Sequence, residues 1–300
     1  MTNAIEANIV TQFSDMVHVN AEQMQSRTAD VTMHKQVKGR DYAYETLDDL
    51  EAIEITSRHQ KTQGQDINHG RRRIRMREFR ATIYLDEKDE LEVLIDAQNN
   101  YAQAVARALY RKRDAIALEA AFADVFTGKD MTTQVTFAND GGETINATAG
   151  ATYETLLEAS TAFINDDVGT DMPEKKWFGI TGDEDYDVKL ETELMSGDFQ
   201  RGWGATKVGE DGMLQVVNGF LVKHFAADAP VPILTVNSTT RDCIIAAERG
   251  ICLGVSKELA IRISERPDLN YAKQVQAVMM MGAVRTEGAR VKKYQTTVGI

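Results

Sequence analysis

The stretch of residues 96–126 constrains the fold most strongly, because it contains neither glycine nor proline over its whole length. It is rich in alanine, leucine, arginine and glutamate, which are strong helix formers. Asp96 is placed to cap the first turn, and Gly128 follows the last one. A helix of about 31 residues would be roughly 46 Å long, far above the common length of about 11 residues. The segment therefore predicts one long helix along which other elements pack.

The two sides of this predicted helix differ in polarity. Apolar residues at helical spacing predict its buried side, and they are Tyr101, Val105, Ala108, Leu109, Ile116, Phe122 and Phe126. Charged residues are assigned to the opposite side, and they are Arg107, Arg111, Arg113, Asp114 and Glu119. An ordinary long helix of an α/β domain has the same pattern, so the flanking sequences must decide the fold.

Composition excludes several classes of protein. The formal net charge of the 300 residues is −12, which disfavours binding of nucleic acid by the whole molecule, although a local basic patch stays open. The only cysteines are Cys243 and Cys252, which indicates a reducing compartment rather than a disulfide scaffold. No segment has the pattern of a signal peptide or the ~18 apolar residues of a membrane span. The composition therefore predicts a folded protein without a membrane anchor.

Residues 1–36 predict an arm rather than a folded domain. Val10, Phe13 and Met16 are spaced for a short amphipathic helix, and the polar residues that follow have no strong period. A segment of this kind cannot bury enough surface to fold by itself. We therefore expect the arm to lie on a partner.

Residues 37–93 predict an extended flap made of two strands. The strand-like runs cover residues 40–47 and 73–86, and a long polar excursion separates them. The apolar phase of the second run slips by one residue near Glu78, which predicts a β-bulge or a strong twist. A lone two-stranded ribbon is marginally stable in water, so the flap is expected to rest on another subunit.

The rest of the chain predicts mixed helices and strands. Thr152 can cap an amphipathic helix whose apolar stripe is Leu156, Leu157, Ser160, Phe163 and Ile164. A compact α/β region follows, in which Asn218 and Gly219 predict a type I′ hairpin turn. The chain closes with two strand-like runs around a turn at residues 285–288, which predict a second long antiparallel hairpin.

In this order the elements resemble one family closely. "RRRIRMREFRATIYLDEKD" entering "IDAQNNYAQAVARALYRKRDAIALEAAF" is similar to the flap strand and spine helix of tailed-phage major capsid proteins with the Hong Kong 97-type fold. "LQVVNGFLVKHF" followed by "CIIAAERGICLGVSKELAIRISERPDLNYAKQVQAVMMMGAVR" is similar to that family's axial-to-peripheral return. The resemblance implies an α+β fold with these parts: an N-terminal arm 1–36, an extended β-hairpin loop 37–93, a peripheral domain 94–178 with spine helix 96–126, an axial domain 179–262, and a peripheral return hairpin 263–300.

The resemblance also implies a structural function without catalysis, cofactor or metal. The expected protein self-assembles into hexamers and pentamers of an icosahedral shell, encloses double-stranded DNA of a tailed phage, and is located in the virion capsid after assembly in the host cytoplasm. The arm is too short for a scaffolding extension, which implies a separate scaffolding protein beside a portal protein. Whether a cement protein takes part stays open. Contacts with packaged DNA are expected to be weak and non-specific, and no membrane partner is expected. The alternatives are an encapsulin-type nanocompartment shell and, from a different class, a soluble nucleic-acid-binding or enzymatic α/β domain.

Candidate interface residues follow from charge. The flap carries a dense basic cluster, and its members are Arg71, Arg72, Arg73, Arg75, Arg77 and Arg80. Arginine pairs bidentately with carboxylates, so we expect these residues to meet acidic groups of a neighbouring subunit. The acidic candidates are Glu87, Asp89, Asp166 and Asp167, and Phe13 and Met16 are the apolar candidates of the arm. A nucleic-acid patch and a solvated strand face are the alternatives for the arginines.

Two further groups of residues invite functional interpretations. The family resemblance implies that one basic face of the spine helix lies near packaged DNA. The residues of that face are Arg107, Arg111, Lys112 and Arg113. Packing and pairing between subunits are the favoured explanation of a charged helix face. Cys243 and His224 could form a nucleophile–base pair, but Cys243 lies in the apolar run DCIIAA and is predicted to be a core residue. Neither the histidines nor the loop around Trp203 has a metal-binding or phosphate-binding motif.

Overall fold

The structure of the protein is a computed structural model. It describes residues 23–47, 50, 52–58, 61, 64–67, 69–85, 97–195, 206–227, 234–237, 239–269 and 271–298. The helices are α1 (Ala97–Phe122), α2 (Tyr153–Asn165), α3 (Gly182–Leu190) and α4 (Thr192–Met195). The first strands are β1 (Met33–Gln36), β2 (Asp41–Leu47), β3 (His69–Arg75), β4 (Arg77–Leu85), β5 (Val125–Thr127), β6 (Thr133–Val135), β7 (Glu143–Ala147) and β8 (Lys176–Ile180). The later strands are β9 (Lys207–Val208), β10 (Leu214–Val217), β11 (Phe220–His224), β12 (Thr235–Asn237), β13 (Thr240–Ala247), β14 (Ile251–Arg266), β15 (Ala272–Arg285) and β16 (Val291–Thr297).

The described residues divide into two compact units. The smaller unit takes its residues from segments 23–25, 78–111 and 257–279, and the larger takes its residues from 26–77, 112–256 and 280–298. The long elements α1, β14 and β15 each contribute residues to both units. The boundaries of the arm, flap, peripheral and axial domains stay predictions. The expectation that the arm lies on a partner is wrong for its described residues, because Val31 is buried in the core of the larger unit and β1 pairs with β14 of the same chain.

The core of the larger unit is a mixed sheet with the strand order β7-β16-β13-β8-β11-β10-β9, and β12 pairs with β13. Consecutive residues of β8 and β13 are buried, because both faces of these strands are covered. Phe178 packs edge-on against Tyr294 with ring centroids 5.0 Å apart, and Phe163 of α2 packs against Phe220. The apolar runs KWFGI and DCIIAA thus form the centre of this unit.

Two local predictions about turns and caps are confirmed. Thr152 caps α2, and its side chain accepts a hydrogen bond from the backbone N–H of Thr155. Asn218 and Gly219 join the antiparallel strands β10 and β11 with φ angles of 46° and 83°. Both angles are positive, as a type I′ turn requires.

The flap sheet has the strand order β2-β3-β5-β6. Strand β2 pairs antiparallel with β3, with Tyr44 opposite Arg72. The predicted pairing of residues 40–47 with the run 73–86 is wrong for most of that run, because its larger part is β4, which lies beside β15 in another sheet. The second predicted run is divided at Met76, whose N–H donates to the carbonyl of Arg40 at 2.8 Å. The predicted irregularity at Glu78 therefore lies two residues earlier than expected.

The spine helix α1 ends earlier than the predicted span of 96–126. It ends at Phe122, and Val125–Thr127 form strand β5 instead. This short segment is β-branched and aromatic, and it pairs with both β3 and β6, so strand pairing outweighs continuation of the helix. The predicted cap Asp96 lies outside the described residues.

The predicted polar side of α1 is wrong at Asp114, which is fully buried. Its carboxylate accepts hydrogen bonds from the side chains of Ser26 at 2.6 Å and Thr28 at 2.7 Å, and from the N–H of Arg27 at 2.9 Å. These donors compensate the carboxylate for its lost hydration, so a charged residue is accommodated on a buried face. Arg107 on the same predicted side is also buried.

Two other predictions from periodicity need correction. On α2 the buried side is rotated from the predicted stripe, because Ala159 and Ala162 are buried while Leu157 and Ile164 are exposed. The predicted closing hairpin is also wrong, because β15 lies in a sheet of order β1-β14-β15-β4 while β16 pairs with β13 and β7. The turn at residues 285–288 therefore passes the chain from one sheet to another.

Candidate assembly interface

Strand β3 and the start of β4 divide the flap arginines into two sets. Ile74 and Met76 are buried, and the arginines between and beside them alternate to the other side of the strand. Arg75 and Arg77 are exposed, whereas Arg71, Arg72 and Arg73 are half-buried. Exposure does not by itself decide the surroundings, because the half-buried Arg73 lies in one pocket with Arg75 and Arg77, whereas Arg72 binds Asp140.

Arg72 belongs to a buried ionic cluster, which we call the Asp140 cluster and which consists of Arg72, Asp140 and Arg285. Both terminal nitrogens of Arg72 donate to the carboxylate of Asp140 at 2.8 Å, and Nε of Arg285 donates to the same group at 2.8 Å. Bidentate pairs of this kind are among the strongest charge-assisted hydrogen bonds. The cluster fixes the base of the flap to strand β15.

Arg285 also holds the end of the spine helix. Its Nη1 donates to the carbonyl oxygens of Ala121, in the last turn of α1, at 2.8 Å and of Ala123, just beyond the helix end, at 3.0 Å. Its side chain is fully buried, and burial lowers the pKa of Arg285 while the charge of Asp140 opposes that shift. Within the described residues, Nη2 of this guanidinium has no hydrogen-bond partner.

The exposed arginines line a pocket of about 470 Å³, which we call the arginine groove. Strands β3 and β5 pair only at Arg72 and Thr127, and beyond that pair the groove opens between them. Its lining residues are Arg73, Arg75, Arg77, Ala120, Ala123, Asp124, Val125, Phe126, Ala283 and Val284. The groove thus combines three cations with apolar side chains.

The arginines of the groove are weakly satisfied. The guanidinium of Arg73 lies over the ring of Phe126 at 4.4 Å from the centroid, and Arg77 approaches Glu119 at 3.7 Å. The Arg77–Glu119 pair is half-exposed on both sides, so it contributes little. Within the described part of the chain, the side chain of Arg75 makes no hydrogen bond or ion pair. Asp124, the one carboxylate of the lining, accepts from Gln134 at 2.6 Å.

The other candidate interface residues lie elsewhere. Arg71 pairs with Glu45 of β2 at 3.1 Å on the exposed flap, and Arg80 is exposed on β4. Asp166 at the end of α2 is bonded to the buried Lys292, and Asp167 beside it is exposed. Four candidates lie outside the described residues, and they are Phe13, Met16, Glu87 and Asp89.

The predicted basic face of the spine helix is not uniform. Arg107 is buried and donates to Gln103 at 3.1 Å, and Arg113 lies 3.1 Å from His34. Lys112 is exposed, and Arg111 is half-buried. That these residues face DNA stays a prediction, and burial makes Arg107 the least accessible of the four.

A second buried ionic cluster was not predicted from the sequence. Nη1 of Arg241 donates to the hydroxyl of Thr181 at 2.6 Å and to the carboxylate of Glu184 at 3.1 Å. The hydroxyl of Thr296 also donates to Glu184 at 2.7 Å. The cluster joins the first turn of α3 to β13 and β16 in the mixed sheet of the larger unit. In the sequence, Arg241 directly before the apolar run DCIIAA was the only sign of it.

Cys243 and His224, which could be imagined as a nucleophile and its base, have structural roles. Cys243 is fully buried, as predicted for a core residue, and burial raises the pKa of its thiol. The ring of His224 instead lies 3.0 Å from the carboxylate of Asp185. Within the described ranges, no three His, Cys, Asp or Glu side chains form a group that could hold a metal ion. No helix in those ranges has the length and apolar character needed to cross a membrane.

Comparison with known proteins decides between the alternatives. A family model described as phage capsid protein matches residues 5–298. The chain belongs to the phage capsid protein family. Comparison with curated proteins gives no match. The family match favours a major capsid protein over a nanocompartment shell.

Solved structures agree with the family match in fold. The capsid of the cyanophage P-SCSP1u has a TM-score of 0.70 at 14% identity, covering 99% of this chain and 95% of that one. The head of Helicobacter pylori bacteriophage KHP40 has a TM-score of 0.70 at 11% identity, covering 100% and 98%. Mycobacterium phage Che8 has a TM-score of 0.64 at 11% identity, covering 96% and 97%. At these identities the likeness shows the fold.

The resemblance read from the sequence is therefore confirmed. The protein has the α+β Hong Kong 97-type fold, and it is a major capsid protein of a bacteriophage. Its function is structural: it self-assembles into capsid shells and belongs to the virion capsid. The charged strand, the groove and the exposed loops are accordingly the surfaces on which contacts between copies have to be sought.

Proposed function

We propose that the capsid protein forms hexamers and pentamers of an icosahedral shell that encloses the double-stranded DNA of a tailed phage. The observation that supports this proposal is the apolar surface of the larger unit. Large apolar side chains are at least 40% exposed there, and they include Leu157, Ile164, Met172, Tyr186, Leu190 and Met213. Extensive exposed apolar surface marks sites of association. A chain of this family covers such surface by contact with other copies.

Electron microscopy of the purified protein tests this proposal. The expected result is closed shells whose surface is divided into units of six and of five subunits. Particles recovered from infected cells are expected to contain double-stranded DNA, which nuclease treatment after opening the shell identifies. A protein that stays monomeric in light scattering at every concentration tested contradicts the proposal. Small shells filled with an enzyme would instead favour the nanocompartment function.

Assembly is proposed to take place in the host cytoplasm with a separate scaffolding protein and a portal protein. Co-expression with candidate scaffolding proteins tests this, and uniform shells formed only in their presence are expected. Whether a cement protein takes part stays open.

We propose that the contact residues suggested by the sequence bind neighbouring subunits or packaged DNA. The exposed flap arginines are proposed to meet carboxylates of a neighbouring subunit, since arginine and carboxylate pair through two parallel hydrogen bonds. Lys112 and Arg111 are proposed to approach packaged DNA by weak, non-specific contact. The DNA contact predicts that the Lys112→Glu variant assembles normally but retains packaged DNA less well at high salt.

We also propose that the protein has no catalytic activity of its own. The burial of Cys243 supports this, because a thiol without access to solvent cannot act as a nucleophile on a substrate. Hydrolase activity that co-purifies with the shells and is abolished by Cys243→Ala would contradict this proposal.

A further inference from the structure

In the arginine groove, the side chain of Arg75 has no ionic partner among the described residues, and another exposed surface of the larger unit has the opposite charge. That surface is the acidic loop, which consists of residues 165–174 between α2 and β8 with the sequence NDDVGTDMPE. It contains four acidic residues and no basic one. Its charge and its exposed methionine make it a candidate ligand for a basic groove with apolar walls.

The acidic loop is held in shape by contacts at both ends. Near its start, Val168 is buried, and its N–H donates to the carbonyl of Phe163 at 2.9 Å. Asp166 accepts a hydrogen bond from Lys292. Near its end, both carboxylate oxygens of Glu174 accept from Nη1 of Arg290, at 2.7 and 2.8 Å. A loop fixed in this way loses little conformational entropy when it binds.

The same contacts leave two of the four carboxylates unused. Within the described residues, the side chains of Asp167 and Asp171 make no hydrogen bond or ion pair. Met172 follows directly and is 64% exposed. The loop therefore presents free negative charge beside a large, flexible apolar side chain.

The groove complements these features one by one. Arg75 and Arg77 are exposed beside apolar walls formed by Val125, Ala283 and Val284. The lining carries three arginines against one aspartate, so its net charge is positive. Its volume of about 470 Å³ lies within the range of about 300–1,000 Å³ that is usual for specific binding pockets. A carboxylate can pair with the guanidinium of Arg75 while a thioether packs on the apolar wall.

We propose that the acidic loop of one capsid subunit docks into the arginine groove of a second copy, with Asp171 paired to Arg75. Groove and loop are different surfaces of one chain, so the contact is heterologous, the kind that generates a ring when the rotation between copies closes. The proposal rests on the proposed assembly into hexamers and pentamers, and it assigns that assembly a specific contact. Arg75 and Asp171 then determine how adjacent subunits recognise each other.

A charge-exchange experiment on the full chain tests this contact. The variants are Arg75→Glu, Asp171→Lys and the combination of both, and the fraction of protein in shells is measured by sedimentation and electron microscopy. Each single reversal is expected to lower that fraction by about tenfold or more, because like charges then face each other. The combination is expected to restore shells. Lys129→Glu, a reversal at an exposed site outside the groove, is the matched control and is expected to assemble normally.

Folding is checked on the unassembled subunits, whose unfolding midpoint in urea is expected to stay at the wild-type value in both single variants. A shifted midpoint in both would place the contact within one subunit and overturn the proposal. Arg75→Gln and Asp171→Asn keep the shape of the side chains and are expected to weaken shells in the same direction.

Three outcomes distinguish failure of the docking contact from failure of the shell function. Wild-type shells together with full assembly of either reversed variant overturn the docking contact but leave the shell function standing. Loss of shells in both single variants without recovery in the combination overturns the pairing of Asp171 with Arg75. Failure of the wild-type chain to form shells under any condition overturns the proposed function, and the contact with it.

Discussion

Two neighbouring regions at the base of the flap use arginine in opposite ways. In the Asp140 cluster, the guanidinium groups of Arg72 and Arg285 are mostly or fully buried and share one carboxylate. In the arginine groove, Arg75 and Arg77 are exposed; the side chain of Arg75 has no ionic partner among the described residues, and Arg77 forms an exposed pair with Glu119. Residues three positions apart on one strand thus differ completely in surroundings. The difference separates a charge that holds the subunit together from a charge that is available for another subunit.

The energetic reason is desolvation. A buried ion pair gains little net stability over an apolar replacement, but removal of one partner leaves an uncompensated charge in the interior. An exposed pair is screened by water and salt, and its loss costs almost nothing. Substitutions in the Asp140 cluster should therefore change the stability of the subunit, whereas substitutions in the groove should change its association. Three predictions, ordered by their effect on subunit stability, test this separation.

The largest effect is expected for Asp140→Ala. The substitution leaves both guanidinium groups of the cluster without their carboxylate, which should lower the free energy of unfolding by about 3–5 kcal/mol. Urea denaturation of the unassembled subunit measures it. Asp130→Ala, at an exposed site in the turn between β5 and β6, is the control and should change stability by at most about 0.5 kcal/mol. Equal effects of the two substitutions would mean that the cluster does not hold the flap base.

A smaller, pH-dependent effect is expected for Glu184→Gln in the second buried cluster. Burial alone raises the pKa of Glu184, but hydrogen bonds from Thr181 and Thr296 and the charge of Arg241 outweigh it and hold the pKa below its usual 4.5. A lowered pKa means that the ionised group stabilises the folded state above pH 4.5 and that this contribution is lost as the pH falls further. The variant should therefore lose about 2 kcal/mol at neutral pH, and less at lower pH.

Unfolding curves of wild type and Glu184→Gln between pH 7 and pH 3 measure this convergence. Glu210→Gln, at an exposed position between β9 and β10, is the control and should follow the wild type throughout. Parallel curves for wild type and Glu184→Gln would show that the carboxylate of Glu184 has no role in acid stability.

The sequence was most informative where the signal is local. The spine helix, the strand β2 and the turn at Asn218 each follow from short-range patterns of helix formers, alternation or turn residues. The end of the spine helix was not predictable in this way, because Val125–Thr127 become a strand only by pairing with β3 and β6. The prediction of a closing hairpin was wrong for the same reason, since β16 pairs with the distant strands β13 and β7.

The charged sites illustrate the same limit. The basic run on the flap is visible in the sequence, but its division into buried and exposed members depends on residues far away along the chain. Asp140 lies 68 residues from Arg72 and 145 from Arg285, and no local pattern links the three. The acidic loop contains Asp166 and Asp167, which were predicted, but the structure shows that Lys292 occupies the first of them. Asp171, the free carboxylate, was not singled out.

The smallest effect on stability, combined with loss of assembly, is expected for the triple variant Arg73→Glu, Arg75→Glu and Arg77→Glu. The ion pair of Arg77 is exposed and should contribute at most about 1 kcal/mol, so the unfolding midpoint of the subunit should hardly change. Shell formation should nevertheless be lost, because the groove changes from positive to negative while its partner surface stays acidic. Sedimentation of assembly reactions measures this. Normal shells from the triple variant would remove the groove from the interface, and a subunit as unstable as Asp140→Ala would show that these arginines act within the fold.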